Sequence, residues 1–325
     1  MNRPAAGILF SYHFARTIVD RCDAMFRSLS QAGWPVLIDS GAFSAWRLNK
    51  PIDLDAYCDW VRPRRPWFTG GFIALDVLAD RAATMDNLNK MVDRGLSPIP
   101  VLTADMPIEQ VSQLAELTGN DDLCVAGGVN WPLEPMVARF RLVELERPAS
   151  RVHGLGFTRN NWPWRAPMFS CDSSSWNTGT QFGHFATFEP VNGVHAIPWT
   201  KVRERGFRML TPHQLRVVQS SGINASNVND KMVSRTHGSW LNLCGVVAWL
   251  QFAEHLAERG RRCYLATVEP QVLTMLGAAQ LTRLPGGGCR YPDCTIEYLR
   301  LRRVYKQDPS SFWRYLTNDI DWTKR

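Results

Sequence analysis

Short apolar runs alternate with segments of helical periodicity through the first two hundred residues of the chain. A strand buried on both faces of a parallel sheet is a continuous apolar run, whereas a helix beside it shows apolar positions three and four residues apart. The apolar runs predict eight strands: Gly7–Ser11, Pro35–Ile38, Phe72–Leu75, Pro98–Leu102, Leu123–Ala126, Val152–Leu155, Met168–Cys171 and Val194–Ile197. Helices predicted between them at Asp20–Ala32, Asp80–Arg94 and Pro107–Thr118 are each followed by a glycine, the residue that most often ends a helix.

Strands separated by helices favour parallel pairing, because a parallel connection needs a crossover long enough for a helix. Eight such units predict a (β/α)8 TIM barrel. A doubly wound open sheet is the alternative, but no Gly-x-Gly-x-x-Gly follows the first strand. In a barrel the chemistry lies where the strands end, so the candidate residues are sought there.

The pattern changes after residue 205 to predicted helices at Pro212–Ser221, Ala225–Arg235, Ser239–Arg259 and Pro270–Leu281. We therefore predict a catalytic barrel region over residues 1–205 and a helical part over residues 206–325 that completes or flanks the barrel. The later segment, residues 201–325, holds 19 Lys and Arg against 10 Asp and Glu, out of a net charge of +7 for the whole chain. This basic, helical C-terminal extension suits a polyanionic partner, although a solvated surface would have the same composition.

Cysteine spacing and hydropathy indicate the compartment. The eight cysteines lack the Cys-x-x-Cys pairs of a zinc ribbon, and Cys289 and Cys294 have no third cysteine or later histidine nearby, so we expect reduced thiols and no metal. The N-terminal apolar stretch is too short for a signal peptide, and Trp240–Phe252 is too short to span a bilayer. The sequence therefore predicts a protein of the cytoplasm, in a bacterial or phage-infected cell, without membrane contact.

Three predicted strands end on an aspartate. Asp39 follows Val36-Leu37-Ile38, Asp76 follows Phe72-Ile73-Ala74-Leu75, and Asp172 follows Phe169-Ser170-Cys171. Strand-end carboxylates of one barrel converge on one mouth, where a pair can divide nucleophilic and acid–base work on a sugar. A single Asp at such a position is as well explained by a helix cap.

The Asp39-Ser40-Gly41 triplet is also found in aspartic proteases, whose paired carboxylates share a proton. That interpretation requires a nearly all-β chain and a second such triplet. Asp172-Ser173-Ser174 lacks the glycine, and helices are predicted between the two segments. An aspartic protease is therefore rejected.

Glycines at two further strand ends would let a flat ligand approach the backbone closely. They are Gly127-Gly128 after Val125-Ala126, and Gly154-Leu155-Gly156 after His153. Together with Asp39-Ser40-Gly41-Ala42-Phe43, Leu75-Asp76 and Cys171-Asp172, they resemble, in order, the motifs of the tRNA-guanine transglycosylases, which exchange guanine for a 7-deazaguanine on a TIM barrel. The variants Asp-Ser-Gly-Ala-Phe-Ser and Asp-Ser-Ser-Ser-Trp are more similar to the phage-encoded branch that modifies DNA. The resemblance covers residues 7–200 as a set of short motifs.

The resemblance implies a role for each matched residue. Asp172 would be the nucleophile on C1′, Asp39 the general acid and base, and Asp76 the acceptor for the N–H edge of the base. Ser40 and Gly41 would help to bind the base, Gly127 and Gly128 would donate backbone N–H groups to its carbonyl, and Gly154, Leu155 and Gly156 would form a wall of the pocket.

Two departures from the family qualify the resemblance. The structural zinc cluster of the tRNA enzymes, Cys-x-Cys-x-x-Cys with a later His, is missing from this sequence. Ala42 and Ser44 replace the family's second Gly and its Gln, which leaves the details of base or ribose recognition open. We expect no cofactor beyond the 7-deazaguanine that acts as substrate.

The resulting hypothesis is a base-exchange glycosyltransferase that replaces guanine in DNA with a 7-deazaguanine such as preQ0, through a covalent aspartyl-glycosyl intermediate. The alternatives are a transglycosylase acting on tRNA, and a non-catalytic nucleic-acid-binding barrel whose aspartates only cap helices. Trp46 and Trp176 are candidates to stack on bases, with core packing as the alternative. Phosphate contacts are expected from the basic C-terminal residues Arg259, Arg261, Arg262, Arg300, Arg302, Arg303 and Lys306.

Overall fold

A computed structural model describes residues 4–126, 132–158, 165–177, 183–234, 239–267 and 269–323. Its contacts divide the chain into two compact units. The sheet unit comprises Gly7–Ser173 and Arg259–Val268, and the helical unit comprises Met1–Ala6, Ser174–Glu258 and Glu269–Arg325. The predicted boundary is at residue 205, whereas the contacts place the change of unit between Ser173 and Ser174 and return Arg259–Val268 to the sheet unit.

An eight-stranded parallel sheet forms the sheet unit. Its strands are β1 (Gly7–Ser11), β2 (Val36–Asp39), β3 (Gly71–Phe72), β4 (Val101–Leu102), β5 (Asp122–Val125), β6 (Arg151–Gly154), β7 (Ser170–Ser173) and β10 (Arg262–Thr267). Their order in the sheet is β3-β2-β1-β10-β7-β6-β5-β4. The helices of this unit are α1 (Tyr12–Ala15), α2 (Val19–Gln31), α3 (Ala42–Arg47), α4 (Leu54–Arg64), α5 (Arg81–Asp93), α6 (Gln110–Thr118) and α7 (Leu133–Glu146). The predicted mixed α/β fold with a parallel sheet is confirmed.

The two end strands of this sheet are linked to each other. Ile73 and Ile99 form a parallel bridge, in which Ala74 N–H donates to Ile99 O at 2.9 Å and Ile99 N–H donates to Phe72 O at 2.8 Å. The bridge joins the end of β3 to the start of β4. The sheet is therefore curled, and this isolated bridge lies beside its two end strands.

The eighth predicted strand is present but belongs to a different sheet. Val194–Ile197 lies in β9 (Gly193–Pro198), which pairs antiparallel with β8 (His184–Glu189) as a separate two-stranded sheet in the helical unit. The strand that pairs with both β1 and β7 is β10, from a region predicted to be helical. Arg262-Cys263-Tyr264-Leu265-Ala266-Thr267 lies between the predicted helices Ser239–Arg259 and Pro270–Leu281, and no element is predicted for it from the sequence.

One cluster of apolar side chains lies inside the sheet unit. Leu9, Leu37, Ile73, Ile99, Val101, Cys124 and Tyr264 are buried against one another, with Ala126, Leu155 and Ala266 partly buried beside them. The buried members lie on or next to six of the eight strands, namely β1 to β5 and β10. The aspartates lie at the strand ends, and this core packs beneath them.

The helical unit packs around aromatic side chains. Its helices are α8 (Trp199–Arg205), α9 (Pro212–Ser220), α10 (Lys231–Ser234), α11 (Trp240–Ala257), α12 (Leu273–Thr282), α13 (Asp293–Gln307) and α14 (Pro309–Arg314). Phe185 stacks on Trp240 with ring centroids 5.1 Å apart, and Trp199 meets Trp240 edge-on. The sequence predicts a helix over Ala225–Arg235, and among the described residues of this range Lys231–Ser234 are the helical ones. In the described part of the chain, no helix has the combination of length and apolar character that crossing a bilayer requires.

Candidate active site

Asp39 is the last residue of β2, and the turn that follows it holds its side chain. The N–H of Gly41 donates to Asp39 Oδ2 at 2.9 Å. Gly41 has φ +84°, and a Cβ there would lie 2.5 Å from both His13 Cβ and Ser11 Oγ. Only glycine fits this turn, which explains the Asp-Ser-Gly sequence in physical terms. Ser40 is fully buried, and its Oγ accepts from Ala42 N–H at 3.3 Å.

Neither Asp39 nor Asp76 caps a helix. The helix α3 begins after Gly41 without a side-chain cap, and α5 is capped by Asp80, whose Oδ1 accepts from Ala83 N–H at 2.9 Å. Asp76 lies between β3 and that cap. The helix-cap explanation of these two carboxylates therefore does not hold.

Burial and mutual repulsion perturb two of the three carboxyl groups. Burial, with the nearby charges of Asp76 and Asp172, raises the pKa of Asp39 to about 7. Burial raises the pKa of Asp76 to about 6. The three predicted strand-end carboxylates thus lie close enough to interact, and Asp39 can give up or accept a proton near neutral pH.

Asp172 lies in β7, and its side chain is 15% exposed. Its Oδ1 accepts from the N–H of Gly156 at 2.7 Å, and the Nε2 of His153 lies 3.3 Å from the same oxygen. The Nε2 contact is close but not aligned as a hydrogen bond. Among the described residues, no group donates to the other oxygen, Oδ2.

The Gly154-Leu155-Gly156 segment supplies this contact by its shape. A Cβ on Gly154 would lie 2.5 Å from Met168 Sδ, so the end of β6 packs tightly against its neighbour. Gly156 has φ +69°, and nothing lies within 4 Å of where its Cβ would be. The loop therefore turns its N–H toward Asp172 and leaves open space on its side-chain face, while Leu155 packs on the core.

His153 and Ser170 are polar residues to which the sequence motifs assign no role. Both are buried, and His153 Nδ1 lies 2.9 Å from Ser170 Oγ across the β6–β7 pair. A serine hydrolase uses the same residue types, but its serine must face an open cleft, whereas Ser170 is only 6% exposed. A polar residue inside an apolar strand was the signal in the sequence, as His153 stands between Val152 and Gly154.

Below the carboxylates, the site is closed by groups that stay uncharged. Burial and the three aspartates raise the pKa of the Cys124 thiol well above its usual value. Tyr57 donates its hydroxyl to Ile73 O at 2.7 Å, and burial raises its pKa as well. Neither Cys124 nor Tyr57 places a positive charge beside the carboxyl groups, so these two neighbours favour the protonated form of the carboxyl groups.

Exposed aromatic side chains lie next to the Asp39 turn. Phe43 is 50% exposed and Trp46 is 66% exposed on α3, with ring centroids 6.1 Å apart. Trp46 is thus available for stacking on a base. Trp176, the other candidate, is fully buried in the helical unit, as the core-packing alternative anticipates.

The seven basic residues predicted to contact phosphates are divided between the two units. Arg259, Arg261 and Arg262 belong to the sheet unit, where Arg262 begins β10 and donates to Tyr264 Oη at 3.2 Å, and Arg261 donates to Ala166 O at 3.2 Å. Arg300, Arg302, Arg303 and Lys306 lie on α13 in the helical unit. Arg300 is held by Glu297 through contacts of 2.6–3.0 Å, whereas Arg303 and Lys306 are exposed.

Some predicted site residues lie outside the described part of the chain, namely Gly127 and Gly128. Within the described ranges, no group of three or more His, Cys, Asp or Glu side chains is placed to hold a metal ion. Cys244 and Cys289 lie with their sulfurs 3.8 Å apart, and all eight cysteines are free and buried. Burial raises the pKa of the Cys289 thiol well above its usual value, which opposes the thiolate that zinc requires.

Comparison with known proteins gives no relative from which a function could be transferred. No protein-family model matches the chain, and no curated protein sequence is significantly similar to it. The chemistry of the site must therefore be argued from its own geometry. A carboxylate oriented by a backbone N–H group, near a carboxyl group with a pKa of about 7, supplies the groups that covalent catalysis with general acid–base assistance requires.

Proposed function

We propose that the chain is a guanine transglycosylase built on a closed (β/α)8 barrel, acting on DNA. The observation that carries the proposal is the convergence of Asp39, Asp76 and Asp172 at one end of the sheet, with pKa values of about 7 and about 6 for the first two. The bridge between Ile73 and Ile99 supports closure of the barrel. The helical, basic extension remains part of the same proposal.

Covalent exchange needs a nucleophile, and Asp172 has the features of one. Gly156 holds Oδ1, so Oδ2 can attack C1′ as the bond from C1′ to guanine N9 breaks. Protonated Asp39 supplies the proton that the departing base takes up. The product of this half-reaction is a sugar–aspartate ester and free guanine.

The second half-reaction reverses these roles. The carboxylate of Asp39 removes the N9 proton of the incoming 7-deazaguanine, and N9 attacks C1′ to displace Asp172. Asp39 regains its proton, so the enzyme returns to its starting state. A carboxyl group with a pKa of about 7 suits both directions, because it is half protonated near neutral pH. Asp76, largely ionised there, is suited to accept from the N–H edge of the base.

DNA is proposed as the polymer on two grounds. The sequence resembles the branch that modifies DNA more than the tRNA enzymes. The exposed Phe43 and Trp46 beside Arg47 and Lys50 combine stacking surfaces with positive charge next to Asp39. A base buried in a duplex must leave the stack to react, and stacking surfaces lower the cost of that step.

The test is incorporation of radiolabelled guanine by the purified full-length protein into duplex DNA, single-stranded DNA and total tRNA. We expect label in DNA, and release of guanine from DNA when unlabelled preQ0 is supplied. Label in tRNA alone would assign the tRNA alternative, and label in neither polymer, with DNA still bound, would indicate a non-catalytic binding protein. Asp86→Asn is the control, because Asp86 is an exposed carboxylate on α5 paired only with Lys90.

A further inference from the structure

His153 is a buried imidazole directly beneath the proposed nucleophile. It is 3% exposed, and its two ring nitrogens face two different polar groups. Nε2 lies 3.3 Å from Asp172 Oδ1, and Nδ1 lies 2.9 Å from Ser170 Oγ. A buried imidazole with a polar group at each nitrogen has its orientation and tautomer fixed by those groups.

The surroundings hold the ring in this orientation. Tyr264 meets it edge-on, with ring centroids 5.7 Å apart and an interplanar angle of 75°. His153 and Ser170 also line a polar cavity of about 130 Å³ on the amino-terminal side of the strands, together with Arg151, Arg262 and Asp122. The ring thus stands between this cavity and Asp172.

We propose that His153 is a positioning residue for Asp172, an inference that rests on the proposed transglycosylase function. In this proposal the Ser170 hydroxyl is the donor to Nδ1, which lies 2.9 Å away, so that Nε2 carries an N–H group facing Asp172 Oδ1. Binding of the target nucleotide aligns this contact, as catalytic hydrogen bonds often tighten only in the complex. Oδ1 is then held by two N–H groups, from Gly156 and His153, and Oδ2 alone faces C1′.

This arrangement has two consequences for the reaction. The two donors stabilise the negative charge of Asp172 in the free enzyme and as it returns when the incoming base displaces it. They also stop the carboxylate from rotating, so that one oxygen is kept in line with the bond to be broken. Both effects act on the rate of the chemical step and leave binding of the polymer unchanged.

The experiment compares four variants of the full-length protein. His153→Leu removes the ring and both nitrogens, His153→Gln retains an N–H donor, and Ser170→Ala removes only the group at Nδ1. His195→Gln is the matched control, because His195 is exposed on β9 in the helical unit. Each is assayed for the single-turnover rate of formation of the covalent DNA adduct, for the Kd of DNA, and for thermal unfolding.

We expect His153→Leu to slow adduct formation about 10–100-fold with a Kd for DNA unchanged within about twofold, as for loss of a transition-state contact. His153→Gln should recover about tenfold of that loss, and Ser170→Ala should lose a smaller factor of about 3–10, because the tautomer is then only partly fixed. The control should react at the wild-type rate.

Equal losses in His153→Leu and His153→Gln would overturn the inference, since they would assign packing rather than hydrogen bonding to the ring. Wild-type rates in every variant would overturn it as well. If His153→Leu does not fold, the comparison of His153→Gln with Ser170→Ala still decides, because a packing role predicts no effect of Ser170→Ala. A wild-type protein without exchange activity, or one in which Asp172→Ala still exchanges, would overturn the proposed function itself. Exchange activity in the wild type and its loss in Asp172→Ala test the proposed function, whereas the His153 and Ser170 variants test the positioning role of His153.

Discussion

The backbone N–H of Gly156 donates to Oδ1 of Asp172 at 2.7 Å, so the loop after β6 holds the carboxylate of β7. The two residues are sixteen positions apart in sequence and come together because β6 and β7 are adjacent and parallel. A backbone donor cannot be removed by changing a side chain. The orientation of Asp172 is therefore a property of the strand pairing as much as of any one residue.

Asp172→Ala should abolish the covalent adduct and the exchange of guanine while leaving the affinity for DNA nearly unchanged. The carboxylate contributes chemistry at a strand end rather than core volume, and its loss exposes no apolar surface. Denaturing gels of protein incubated with DNA, without an incoming base, measure the adduct. An adduct that persists in Asp172→Ala at the wild-type level would contradict the assignment of the nucleophile, and Asp86→Asn serves as control.

Asp39→Asn should lower the single-turnover rate by about 100-fold or more, which is the usual contribution of a general acid–base group. The amide keeps the shape of the side chain and cannot exchange a proton, so the Kd for DNA should change far less than the rate. Rates are compared with binding isotherms at one salt concentration. A loss of less than about tenfold in rate would rule out the acid–base role.

The two half-reactions should respond to pH in opposite directions. Departure of guanine needs protonated Asp39, so adduct formation should slow as pH rises above about 7. Incorporation of the incoming base needs the carboxylate, so release of the adduct should slow as pH falls below about 7. Pre-steady-state measurement of each step between pH 5 and 9 checks this, and parallel profiles for the two steps would contradict a shared group.

The same carboxyl group should make the protein less stable at alkaline pH. The folded protein keeps the proton of Asp39 up to about pH 7, whereas the unfolded chain releases it near the usual value of 3.8. The folded state thus binds more protons between these limits, and the free energy of unfolding falls as pH rises from about 4 to about 7. Asp39→Asn removes this effect and should be more stable than wild type at pH 8, by on the order of 2 kcal/mol.

Urea unfolding at pH 4.5 and at pH 8 measures this difference. The gain from Asp39→Asn should be small at the lower pH and larger at the higher one. Asp86→Asn, an exposed carboxylate, should show the same small change at both. A gain in stability that is independent of pH would indicate that the amide improves packing and that the charge of Asp39 does not destabilise the folded state.

Salt dependence can separate the arginines of α13. Glu297 already holds the guanidinium of Arg300, whereas Arg303 and Lys306 are exposed. If α13 contacts DNA, Arg303→Gln and Lys306→Gln should each reduce the slope of log Kd against log salt by about one, and Arg300→Gln should reduce it less. Fluorescence anisotropy across a salt series measures the slopes. Unchanged slopes in all three, with a reduced slope in Lys50→Gln, would place the phosphate contacts next to Asp39.

All eight apolar runs coincide with strands, and seven of these strands belong to the parallel sheet, because each is a short, largely buried segment. The helix limits follow from the same local chemistry, as in α6, where Gly119 adopts φ +61° at the end of the helix. The eighth strand of that sheet escaped prediction for a non-local reason. β10 is completed only by pairing with β1 and β7, which lie far from it in sequence.

Some properties of the candidate site can be predicted from the sequence, and others depend on the folded structure. The sequence alone indicates Asp39, Asp76 and Asp172, because each is a charged residue after an apolar run. Their perturbed pKa values depend on burial and mutual distance, which no sequence pattern contains. The role of His153 depends on the register that sets it opposite Ser170, so it becomes visible only with the strands paired.

The pairing of β1 with β10 also constrains how the chain can be made. Gly7 lies opposite Tyr264, so β1, the first strand to be synthesised, can complete its pairing only after β10, the last strand of this sheet, has been synthesised. Until then β1 and β7 present unpaired backbone edges, which favour association with other chains. Such distant contacts slow folding, because a long loop must close before they form. A fragment ending at residue 205 would keep these open edges permanently. The sheet that carries Asp39, Asp76 and Asp172 is thus completed by a strand that is synthesised after the helical unit has begun.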